Sequence, residues 1–143
     1  MKLKEDKKFP ETWILVKHAG IADINPPLPT IDLDENLVVS FIPMKAVEEK
    51  TGVLHLVETR KISEVRKRYT SFIDRDIVFA KITPCMENGK IAVAKELVNG
   101  IGFGSTEFHV SRLTKMTNER FIFYYLVQDS VRSAAQKRMT GSA

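Results

Sequence analysis

Residues 76–113 read DIVFAKITPCMENGKIAVAKELVNGIGFGSTEFHVSRL, three β-like runs separated by Pro, Asn and Gly. Pro84, Asn88-Gly89 and the glycines at 100, 102 and 104 are turn formers, so a meander is the most economical local structure. Ile77 to Ala80 are apolar on both faces, which predicts a central strand with Lys81 emerging beside the turn. The other two runs alternate. Ile91 and Val93 share one face of the second, and Thr106, Phe108 and Val110 share one face of the third. Lys90, Glu107 and His109 are thereby left off the packed side.

Towards the N-terminus, residues 1–8 are rich in Lys, Glu and Asp without apolar periodicity and read as a mobile tail ahead of one domain over residues 9–143. Trp13 to Val16 is a short apolar run between Pro10 and Gly20, expected as a first strand or buried segment. Trp13 reads as core, with stacking on a splayed base as the functional alternative. Three prolines make Asn25 to Thr30 a loop. Leu37 to Ile42 is a second strand candidate, and Pro43 is placed to open a short helix through Lys50, stopped at Gly52, with Lys45 and Glu49 a weak surface pair. In TRKISEVRKRY, residues 59–69, Ile62, Val65 and Tyr69 fall on one helical stripe and leave the basic residues outside.

Towards the C-terminus, Thr117 or Asn118 caps a helix with Glu119 in its first turn. Phe121 to Val127 is apolar almost all round, predicting burial against the sheet; a polar helix follows with a narrow Val131, Ala134, Ala135 stripe. These elements predict a single α+β domain with a twisted, mainly antiparallel β-sheet and a few packed helices.

A chain of 143 residues can bury a core. No apolar run approaches the roughly 20 residues of a membrane helix, and no signal-peptide core follows the charged N-terminus. On those grounds the chain reads as cytoplasmic, and a single cysteine, which permits no internal disulfide, agrees with a reducing compartment. The net charge is +4, but residues 18–59 hold two Lys/Arg against seven Asp/Glu, whereas residues 60–96 hold nine against five. That polarity suits a protein presenting one surface to a polyanion; the bland alternative is a solvated surface with clustered charge.

Arg60, Lys61, Arg66, Lys67 and Arg68 form the densest basic patch and are candidates for phosphate contact, since Lys and Arg displace counterions condensed on a duplex. Lys81, Asn88 and Lys90 are candidates for reading bases, because Asn pairs bidentately with adenine and Lys donates to guanine. The equal alternative for the turn is a structural hairpin built on Asn88-Gly89. Cys85 and His109 lie on different elements with no surrounding signature, so nucleophilic catalysis and zinc binding are disfavoured, and His109 is expected to pair with Glu107. Asp32, Asp34 and Glu35 read as a solvated loop, and residues 97–104 lack the glycine register of a dinucleotide site.

Val78–Ala94, VFAKITPCMENGKIAVA, followed by Gly102–Leu113, GFGSTEFHVSRL, resembles the target-recognition domain of the specificity subunit of type I restriction-modification enzymes. Phe9 to Trp13 looks like the Pro-x-x-Trp opening of such a domain, and Arg138 to Ala143 like its closing Thr-Gly-Ser segment. The resemblance implies a DNA methylase specificity domain-like fold and recognition of one half of a bipartite DNA target. It implies no cofactor in this chain. Partners would be double-stranded DNA, a modification subunit that methylates adenine with S-adenosylmethionine, and a restriction subunit using ATP and Mg. In that family a long spacer helix follows the Thr-Gly-Ser segment, so the chain would end where that helix begins. The alternatives are a recognition domain of a single-chain restriction-methylation enzyme, or a small enzyme using Cys85 or Glu87.

Overall fold

The computed structural model describes residues 10–29, 32–55 and 58–138. The predicted N-terminal tail and the Thr140 to Ser142 segment lie outside the described residues. The strands are β1 (Ala22–Ile24), β2 (Val38–Ile42), β3 (Thr59–Lys61), β4 (Thr70–Ile73), β5 (Ile77–Ala80), β6 (Ile91–Val93), β7 (Ile101–Gly104) and β8 (Phe108–Leu113). The α-helices are α1 (Ile62–Val65), α2 (Glu119–Leu126) and α3 (Asp129–Gln136).

The strands form two four-stranded sheets instead of one. The first has the order β1-β8-β5-β6 and is antiparallel throughout; the second has the order β3-β2-β7-β4, with β2 and β7 parallel. β5 is central, as its two-sided apolar character requires, but β6 and β8 flank it on either side, so the three runs are not a sequential meander. The predicted glycine-rich bend is in part strand β7 of the second sheet. Gly104 explains why it is glycine: a Cβ there would collide with the Ile42 carbonyl across the β2·β7 ladder and with the Phe108 ring. Thr106 is exposed in the connection and does not share the Phe108 and Val110 face.

Alternation along the strands builds three apolar layers. Ile42, Phe72, Val78, Ala92, Phe108 and Val110 meet between the two sheets. On the outer face of the second sheet, Val39, Phe41 and Phe103 pack under Ile62 and Val65 of α1. On the outer face of the first, Ile77, Ile91 and Val93 pack under Ile122 and Phe123 of α2. Phe72, Phe103 and Phe108 are fully buried, each contributing about 1.5–3 kcal/mol of hydrophobic stabilisation.

Several local expectations give way to tertiary pairing. The basic segment is not one helix: residues 59–61 are drawn into an edge strand by β2, and only one α-turn follows, with the Lys61 N–H donating to Glu64 Oε2 at 2.8 Å. Its stripe is nonetheless buried at Ile62 and Val65, with Tyr69 half-buried against Phe41. After Pro43 only a 3₁₀ turn forms, Met44–Ala46, so the Lys45 and Glu49 helical pairing does not arise. Glu49 instead forms an isolated antiparallel backbone bridge with Lys90. Trp13 to Val16 is neither strand nor core; all four side chains are exposed, and Trp13 meets Phe121 edge-on at 6.0 Å.

Asn118 caps α2, its Oδ1 accepting from Arg120 N at 2.9 Å and Phe121 N at 3.1 Å. Only Ile122 and Phe123 of this helix are buried, while Phe121, Tyr124 and Tyr125 remain exposed. In α3 the residue that packs is Arg132, not the alanines, which are exposed.

Candidate nucleic-acid interface

The strand register brings one set of loops to one end of the paired sheets. β2 leaves at Ile42 opposite Gly104, where β7 also ends, and β4 begins there at Thr70. Ser105 to Glu107 then cross to the first sheet, where Phe108 opens β8 opposite Ala80 at the close of β5. The turn 66–69 and the connection 81–90 therefore both emerge at this end, and the Lys81 N–H donates to the Glu107 carbonyl at 2.9 Å.

The basic candidates divide accordingly. Arg66, Lys67 and Arg68 are exposed on the turn leading to Thr70, with Arg66 Nη1 donating to Glu35 Oε1 at 2.9 Å. Arg60 and Lys61 lie further along the ladder, opposite Val39 and Val38. Arg60 is folded onto its own sheet: its guanidinium sits 4.2 Å from the Phe41 ring centre and its Nη2 donates to Glu58 Oε1 at 2.6 Å.

The connection 81–90 is a wound turn, not a two-residue hairpin. Met86 N donates to Ile82 O at 2.8 Å, Asn88 N to Pro84 O at 3.0 Å and Lys90 N to Cys85 O at 3.1 Å. Gly89 takes φ of +76°, where a side chain is disfavoured. Side chains clamp the turn from two sides. Lys90 Nζ donates to Met44 O at 3.3 Å and Val47 O at 3.1 Å, so it faces the 3₁₀ turn. Gln136 Nε2 and Thr83 Oγ1 both donate to Glu87 Oε1, at 2.9 and 3.0 Å, and Arg132 Nη1 donates to the Glu87 carbonyl. Cys85 is half-buried and Asn88 is exposed. Among the described residues no group of His, Cys, Asp or Glu is placed to hold a metal ion.

A second polar cluster has no local signal in the sequence. Asn25 directly follows β1, beside β8; its N–H donates to Val110 O at 2.7 Å, and its Oδ1 accepts from Val110 N at 2.8 Å. Its Nδ2 meets Nδ1 of His109, not Glu107, at 3.1 Å. The His109 ring leans on Phe79 with centroids 5.4 Å apart. Partial burial, then the nearby Lys81 charge, push the His109 imidazolium towards deprotonation below its ordinary range. His18, donating to or accepting from Ser111 Oγ at 2.7 Å on the same sheet face, is shifted the same way by burial.

No protein-family model matches the chain. It is 37% identical over 147 residues to the specificity subunit of the type I restriction enzyme EcoEI of Escherichia coli, covering 100% of this chain and 24% of that protein. It is 38% identical over 143 residues to the EcoAI specificity subunit of the same organism, covering 98% of this chain and 24% of that one. The chain is homologous to specificity subunits of type I restriction enzymes. It spans about a quarter of the length of these curated relatives. The HsdS subunit of Thermoanaerobacter tengcongensis superposes with a TM-score of 0.68 at 20% identity, over 97% of this chain and 35% of that one. A chain described in a study of complex assembly and conformational transition of the type I R-M system gives 0.66 at 21%, over 96% and 35%. The fold of this chain is thus that of a domain of HsdS-type subunits, and the α+β expectation holds at that level.

Proposed function

We propose that this chain recognises one half of a bipartite DNA target and so directs adenine methylation and restriction by partner subunits. The observation that carries the reading is 37–38% identity over essentially the whole chain to two specificity subunits. The exposed turn of Arg66, Lys67 and Arg68, which leads into β4 at the end of the sheets where the 81–90 connection also emerges, supports it, since one would hold phosphates while loops at that end reach bases. Of the proposed readers, Asn88 and Lys81 are retained. Lys90, already occupied by two carbonyls, is assigned to holding the turn.

Bond making is assigned to the partners: a modification subunit with S-adenosylmethionine, and a restriction subunit with ATP and Mg. If the target adenine is taken out of the stack, the modification subunit's pocket would receive it. Mapping methylated adenines in the source genome, with and without an intact gene for this chain, tests the proposal. A methylated motif should vanish when the gene is interrupted; an unchanged methylation map overturns the reading.

A further inference from the structure

The Asn25 and His109 pair carries an inference of its own, one that rests on the DNA-recognition reading. The backbone N–H of Val110 can only donate, so the Asn25 atom 2.8 Å from it is the carbonyl oxygen Oδ1. Nδ2 is then the atom facing His109, and an amide nitrogen also only donates. His109 Nδ1, 3.1 Å away, must therefore accept, which places the single imidazole proton on Nε2. The hydrogen bonds thus fix the tautomer without reference to any visible proton.

The rest of the surroundings hold the ring still. Asn25 is tied to the Val110 backbone by two hydrogen bonds, one from its own N–H and one to its side-chain oxygen, and Arg112 Nη1 donates to Pro27 O at 2.9 Å just beyond it. Phe79 supports one side of the ring. Among the described residues Nε2 has no hydrogen-bond partner, and His109 is only half-buried. Lys81, directly after β5 and two residues beyond Phe79, the partner of His109 in the ladder, brings a second donor to the same end of the sheet; its N–H donates to Glu107 O at 2.9 Å.

We propose that His109 is a specificity-determining residue, donating through Nε2–H to the N7/O6 edge of a guanine in the major groove, with Lys81 as the second donor. Guanine presents two adjacent acceptors there, whereas cytosine presents an amine donor that a lone N–H cannot satisfy, and adenine sets an amine beside its N7. Asn25 acts as the positioning residue that selects which ring nitrogen carries the proton.

Selection from a pool of randomised duplexes by the 143-residue chain tests this. The wild-type chain should return a motif containing a guanine whose replacement by 7-deazaguanine, which lacks the N7 acceptor, weakens binding about tenfold. His109→Phe keeps a ring against Phe79 but has no donor. It should lose preference at that one position, keep the others, and bind the deaza duplex as well as the natural one. A motif without guanine, or no loss with 7-deazaguanine at any guanine of the motif, overturns the assignment using wild-type protein alone. A His109→Phe chain that melts like wild type and keeps the full guanine preference also overturns it. Absence of any salt-dependent duplex binding by the wild-type chain would instead remove the DNA reading, and this assignment with it.

Discussion

Asp76, on the turn before β5, and Arg112, on β8, form a two-pronged ion pair: Nε donates to Oδ1 at 3.0 Å and Nη2 to Oδ2 at 2.8 Å. Asp76 is 1% exposed, and its Oδ2 also accepts from Ile73 N at 2.9 Å. Removing one partner of a buried pair leaves an uncompensated charge, so Asp76→Ala should lower stability by about 3–5 kcal/mol. Arg112→Ala should cost at least as much, because it leaves the Asp76 carboxylate buried, whereas Asp76→Ala leaves a guanidinium that keeps some exposure. In urea unfolding the double variant should lose less than the sum of the two; strict additivity would show that the pair is not coupled.

The 81–90 connection separates holding from reading. Lys90→Met leaves the Met44 and Val47 carbonyls without their charged donor and should destabilise the chain by about 1.5–3 kcal/mol, with base preference unchanged. Asn88→Ala, at an exposed position, should stay within about 0.5 kcal/mol of wild type in stability. Its readout is the preferred sequence, and an Asn88→Ala chain with wild-type preference removes that residue from the set of readers.

Replacing Arg66, Lys67 and Arg68 together by Glu should weaken binding to all duplexes alike. The slope of log affinity against log salt should flatten by about 0.9 for each phosphate that is no longer neutralised. Arg60→Ala should act differently, lowering stability through its lost packing on Phe41 while leaving the salt slope alone. A triple variant with the wild-type slope would take that turn out of the interface.

The pH dependence has a defined sign. His18 and His109 bind protons less readily in the folded chain than at their ordinary value of 6.5, chiefly through burial. The unfolded chain therefore takes up more protons as pH falls through that value, so stability is full above it and declines below it. Replacing both by Asn should flatten this decline between about pH 7 and 5. Glu119 acts in a lower window. The Arg75 guanidinium, then a hydrogen bond from its own backbone N–H, holds its carboxyl below the ordinary range, so its contribution is present above about 4.5 and disappears as pH falls further. Glu119→Gln should lower stability at neutral pH and remove that acid decline in thermal unfolding across pH.

The amino-acid order by itself determined the features that depend on near neighbours. Two-sided apolarity identified β5 as central, alternation placed Phe108 and Val110 inward, and Asn118 announced the start of α2. The motif order from Val78 to Leu113, together with the flanking Phe9 to Trp13 and Arg138 to Ala143 pieces, indicated the specificity-subunit resemblance. These are readable because periodicity and capping act over a few residues.

Tertiary structure decided what depends on partners far along the chain. Edge pairing with β2 made a strand of residues 59–61 despite their helical spacing, and β7 was drawn into a second sheet beside β2. The basic run divided because Arg60 found Phe41 and Glu58, while Arg66 to Arg68 stayed on an exposed turn. Lys90 turned towards carbonyls 43 and 46 positions away, and Asn25 met His109 across 84. A side chain's hydrogen-bonding capacity is written in its residue type. Which acceptor it reaches is fixed only when the sheets close and water is excluded from the alternatives.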